Sequence, residues 1–185
     1  MTGAIARLGA RKTMPDRKRA PADAVAIDLA IPCAQWRRAV PNVATLATQA
    51  ARAALARAGR RIRGAELSLV LADDATIAAL NQRWRHRAGP TNVLAFPGGG
   101  GPDSAAPLLL GDVILAFETV AREAKEQGKT LSDHLRHLVI HGVLHLLGHD
   151  HEEAAMARRM EALEKRILAT LGIADPYRLR EDAHG

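Results

Sequence analysis

The stretch "HLVIHGVLHLLGHDH", residues 137–151, constrains this chain more than any other. Val139, Ile140, Val143, Leu144, Leu146 and Leu147 make a helix that is apolar on nearly every side, so it belongs inside a core. Yet it carries histidines. His141 and His145 are four residues apart, which puts them on one helix face about a turn apart. Gly148 stands three residues later, where a helix ends on a left-handed residue that glycine adopts at least cost. The chain can then turn back and bring His151 to the same point.

Burying bare imidazoles without partners is costly. An ordinary core histidine would account for one of these residues. A shared cation accounts for His141, His145, the terminating glycine and His151 together. Three neutral imidazoles leave a fourth tetrahedral position open, the pattern of a catalytic zinc rather than a closed structural one. Nickel or copper would also suit three imidazoles. His137, one turn before His141, is a candidate to support a ligand from behind, and Asp150 to orient one. His149 is the histidine most easily mistaken for a ligand.

The spacing H-x-x-x-H-x-x-G-x-x-H is that of metzincin-type metalloproteases. Those enzymes place a glutamate directly after the first histidine as general base. Here that position is Gly142. For peptides the loss is severe, because the glutamate both takes a proton and passes it to the leaving amine. For a phosphodiester it matters less, since zinc alone lowers the pKa of a bound water to ~7.

The rest of the pattern supplies a scaffold. Alternation over Ala24–Leu29 and Glu66–Leu71 predicts two strands. Thr91–Phe96, closed by Pro97, and Leu108–Phe117 predict two more. An alanine-rich amphipathic helix is expected from about Asn42 to Ala58, stopped by Gly59. Asp73 or Asp74 can cap a helix containing Ile77, Leu80 and Trp84. Further helices are expected near 118–127, 131–147 and 152–171. The fold class is therefore α+β: a small four-stranded mixed sheet packed with helices. Residues 1–22 read as a basic disordered tail, 23–172 as a single domain and 173–185 as a C-terminal tail. The four consecutive glycines at 98–101 lack the flanks and lysine of a phosphate loop, so they imply no nucleotide site.

Composition narrows the classes. Hydrophobic residues make up 48% but aromatics only 3%, so the core must be aliphatic. The single cysteine, Cys33, excludes an internal disulfide and fits a reducing compartment. No run of ~18 apolar residues and no signal-peptide stretch is present, so a cytoplasmic protein without membrane contact is expected. The net charge of +6 suggests nucleic acid, but residues 1–20, with six Lys or Arg against one acid, hold +5 of it. Trp36–Arg63 contains seven arginines and no acid, most simply a solvated face. Arg83, Arg85 and Arg87 crowd a helix end, where they also suit the negative end of the helix dipole.

Three stretches together, "LNQRWRHRAGPTNVLAFP" (80–97), "GDVILA" (111–116) and "HGVLHLLGHDH" (141–151), resemble the signatures of the YbeY family of metal-dependent endoribonucleases, in order and separation. The resemblance covers about residues 24–172. It implies a fold similar in part to metalloproteases, with a metalloprotease-like metal-site helix. It also implies zinc on His141, His145 and His151 and a functional cleft arginine at Arg85. The implied partners are single-stranded RNA, ribosomal RNA and the small ribosomal subunit, not DNA. The implied roles are maturation of the 3′ end of small-subunit RNA and ribosome quality control. Trp84, Ala95 and His149 stand where the family more often has Tyr, Ser and Tyr. Two other functions fit the residues: an RNA-binding assembly factor with a structural metal, and, against Gly142, a metalloprotease.

Overall fold

A computed structural model describes residues 25–57, 64–99, 108–149 and 153–178. The expected basic tail, the Gly59 stop, most of the glycine-rich loop, Asp150 and His151 lie outside the described residues.

The elements run β1 (Ala26–Ala30), α1 (Ala34–Ala39), α2 (Val43–Arg57), β2 (Ala65–Ala72), α3 (Asp74–Arg85), β3 (Val93–Pro97), β4 (Leu108–Ala116), α4 (Phe117–Glu126), α5 (Leu131–Leu146) and α6 (Ala154–Thr170). The strands form one sheet in the order β1-β2-β4-β3. β1, β2 and β4 are parallel, and β3 is antiparallel to β4. The mixed sheet and every helix but α1 are those the pattern predicts.

Period-two alternation divides the sheet into two faces. Leu67, Leu69, Leu71, Val113 and Leu115 point into the larger core, with α2 and α5. Ile114, Ala116 and Leu94 point the other way, onto Ile77 and Leu80 of α3. With few aromatics to fill space, α2 presents Ala47, Ala50, Ala51 and Ala54, all fully buried. That alanine stripe has helical spacing and brings backbones close together.

Helix α1 was not expected, because six residues carry no readable period and its N-cap Cys33 makes no side-chain cap. Trp36 holds it in place. Its ring is fully buried, meets Phe117 edge-on at 5.1 Å, and its Nε1 donates to the Ala72 carbonyl at 2.9 Å. Of the two candidate caps for α3, Asp73 is the one used, accepting from the Thr76 amide at 2.8 Å. Asp74 instead accepts from the amide and hydroxyl of Thr119 in α4, while Glu118 accepts from the Asp74 amide. Two helix starts thus cap each other and fix α3 beside α4.

The segment after Gly172, expected as a tail, is packed as far as it is described. Ile173 is buried in the larger core. Asp175 pairs with Lys165 at 3.0 Å, and the Lys165 ammonium lies 5.6 Å from the Tyr177 ring centre. A short polar sequence concealed this, because its partners sit on α6.

Candidate metal centre and cleft

Helix α5 is tied down at both ends. Thr130 caps its start, accepting from the Asp133 amide at 3.1 Å. At its end Gly148 is left-handed (φ +85°), and the His149 amide reaches back to the Leu144 carbonyl at 3.0 Å. This is the reversal expected of that glycine.

Between its ends, α5 lies directly on the sheet at Gly142. A Cβ there would stand 2.6 Å from Val113 Cγ1 and 3.4 Å from Val93 Cγ2. The position that holds the general base in metalloproteases is here the contact point between helix and sheet, with no space for a side chain.

His141 and His145 project to the side of that contact, half-buried. Their Nε2 atoms are 3.1 Å apart. The Nδ1 of His141 lies 2.8 Å from Glu164 Oε1 on α6. A carboxylate accepts, so Nδ1 carries the hydrogen and Nε2 offers its lone pair. Two imidazole nitrogens this close must share a proton or a cation. The donor set therefore fits a borderline-soft divalent ion such as zinc. Among the described residues no third histidine, cysteine or carboxylate completes such a group, His149 included. His151, the expected third ligand, lies outside the described residues.

Glu164 was missed by sequence reasoning. Its side chain is 1% exposed and collects three donors: His141 on one oxygen, His137 Nε2 at 3.0 Å and the Tyr177 hydroxyl on the other. Burial alone would raise this carboxyl, but the hydrogen bonds from His137 and His141 pull it down to about 2. Its signal was present: Met160, Glu164, Ile167 and Leu168 form one buried helical stripe, and a glutamate on such a stripe needs a partner. His137 thus reaches the His141 imidazole through Glu164. Burial lowers its own pKa, although Glu164 opposes this.

A cleft of about 460 Å³ opens on the other side of His141. Arg85, Arg87, Ala95, Pro97, His141 and His145 are among its walls. Helix α3 delivers the arginines. It ends at His86, left-handed at φ 54°, and the Arg87 amide bonds back to the Asn81 carbonyl at 3.3 Å. Val93, Ala95 and Pro97 reach the cleft because alternate residues of β3 share a face, while Leu94 packs against α3. Arg83 is not a wall of this cleft; its guanidinium lies 5.3 Å from the Trp84 ring centre. The three arginines, equivalent in sequence, are not equivalent in space.

A family model described as Endoribonuclease YbeY matches residues 30–172. The Endoribonuclease YbeY of Paramagnetospirillum magneticum is 53% identical over 157 residues, which cover 83% of this chain and 94% of that protein. That of Azorhizobium caulinodans is 51% identical over 154 residues, covering 83% and 96%. Among solved structures, the solution structure of TM1509 from Thermotoga maritima aligns with a TM-score of 0.46 at 22% identity, covering 80% of this chain and 91% of that one.

Proposed function

The chain belongs to the YbeY endoribonuclease family, and on that premise we propose that it cuts single-stranded RNA with a zinc ion held by His141, His145 and His151. The substrate is ribosomal RNA, at the 3′ end of the small-subunit strand, and the wider role is in ribosome maturation and quality control. The observation that carries this reading is the shared cleft. Arg85 and Arg87 face the same space as the converging nitrogens of His141 and His145.

Zinc, when bound, supplies Lewis acidity that polarises a phosphoryl oxygen and makes water more acidic. The other tasks fall to side chains. Arg85 holds the scissile phosphate through a planar two-point contact and offsets the charge that builds up on it. Arg87 adds attraction for the backbone. The contact of α5 with the sheet at Gly142 fixes where the helix carries His141 and His145. The same contact leaves no room for the glutamate that peptide hydrolysis requires, which supports a phosphodiester over a peptide substrate.

The test is incubation of purified full-length protein with one RNA sequence in single- and double-stranded form, before and after metal removal. Cleavage of the single strand alone, lost on chelation and restored by zinc, is expected. Tight RNA binding with no cleavage in any metal state would favour the assembly-factor reading instead.

A further inference from the structure

The described members of the proposed centre, Arg85, Arg87, His141 and His145, all line the cleft. Behind His141 lies a second cavity of about 380 Å³, whose walls include Glu123, His134, His137, Glu164 and Tyr177. Three histidines of α5 meet two carboxylates there: His134 meets Glu123 at 2.9 Å, and His137 and His141 meet Glu164 at 3.0 and 2.8 Å. The chemistry is the same in all three. Of these imidazoles only His141 has its other nitrogen turned toward the cleft and toward His145.

We propose that Glu164 is the positioning residue of the metal centre: by accepting from His141 Nδ1, it fixes the ring so that Nε2 is the nitrogen presented to the ion. The inference rests on the metal-centre reading above. Its geometry is over-determined. Oε1 takes His141 and Oε2 takes both His137 and Tyr177, so the carboxylate plane cannot rotate without losing a partner. Tyr177 is held in turn by Asp175, whose carboxylate accepts from the Tyr177 amide at 2.9 Å and pairs with Lys165. Tyr177 lies five residues beyond residue 172, where the family-model match ends. A ligand histidine whose far nitrogen is bonded to a carboxylate is better oriented and more basic, and losing such a partner commonly weakens metal binding ~10–100-fold.

A purely structural role, a buried tie between α5 and α6, makes a different prediction, and the Glu123 pair provides the control. Zinc affinity is measured on the full chain by competition with a chromophoric chelator, alongside melting of the metal-free protein. Glu164→Gln, which keeps one acceptor, should weaken zinc about tenfold, and Glu164→Leu, which keeps none, about a hundredfold. Glu123→Gln should lower metal-free melting comparably but leave zinc affinity at the parent value. If Glu164→Leu does not fold, the Gln variant decides. Parental affinity in Glu164→Gln, or an equal loss in Glu123→Gln, overturns the positioning role while leaving the metal centre standing. A parent protein that binds no zinc removes both readings together.

Discussion

His134 and His141 of α5, each bonded to a carboxylate, show how one motif serves two purposes. His134 is 3% exposed, bonded to Glu123 through Nε2, and its Nδ1 has no hydrogen-bond partner among the described residues. Glu123 passes its remaining capacity to Asn92, at the start of β3. That pair ties α4, α5 and β3 together and ends there. His141 has the same kind of bond on one nitrogen, but its other nitrogen lies 3.1 Å from that of His145 at the edge of an arginine-lined cleft. A histidine–carboxylate pair is a tie when its second nitrogen is walled in, and part of a centre when that nitrogen has somewhere to go.

The largest expected effect breaks the comparison at the cleft side. His145→Ala should take zinc content from about one per chain to near zero and abolish cleavage, whereas His134→Gln should keep its zinc and lose melting temperature. Elemental analysis of both decides it; a zinc-loaded His145→Ala protein contradicts the ligand assignment. His149→Ala should keep its metal.

Next is the arginine. Arg85→Ala should keep metal and stability yet lose ~10²–10³ in cleavage rate, the common cost of one charge-stabilising contact. Lysine should restore only part of it, because a point charge cannot reproduce the planar fork. Arg87→Ala should be milder, and Arg83→Ala milder again, since Arg83 lies against Trp84 rather than in the cleft. Initial rates on single-stranded RNA give the order, and equal rates for Arg85→Ala and the parent reject the role.

The histidine spacing, the terminating glycine and the four strands were legible because each depends on residues close in sequence. The brace behind His141 was not, because Glu164 and Tyr177 meet it only after α6 folds back along α5. Cap choice at Asp73 was left open for a similar reason: Asp74 has its partner in α4, 45 residues away. The close histidine pair came from a local period, and the carboxylate bonded to His141 from tertiary contact. Helix α1 was lost to shortness, and Trp36 alone could have revealed it.

A third, smaller test concerns the contact of α5 with the sheet, beside the histidines. Gly142→Ala should cost about 1–3 kcal/mol through the contact with Val113, as overpacking does. Val113→Ala in the same chain should recover part of it, read by denaturant unfolding. No loss in Gly142→Ala would mean the helix can lift from the sheet, and the explanation for the missing base would fall.

The smallest effects are on pH. Burial would raise Glu123, yet the His134 and Asn92 hydrogen bonds lower it below its ordinary value of 4.5. A depressed carboxyl stabilises the fold above its unfolded pKa and loses that contribution as pH falls through the folded one. Glu123→Gln should therefore flatten the acid side of the stability profile. Asp112 has the opposite sign: burial raises it despite a bond from Ser68, so it favours the fold at low pH and loses that as pH rises through its folded pKa. Asp112→Asn should raise the melting temperature at pH 7, and a lowered one would reverse that reading.

The central claim is that the α5 histidines and the cleft arginine form one metal-dependent centre for cutting RNA. Its most direct test is the initial rate on single-stranded RNA measured against zinc occupancy, starting from metal-free full-length protein. The rate should rise in proportion to occupancy and stop rising at one zinc per chain. A rate already present in the metal-free protein and unchanged across the titration would contradict it.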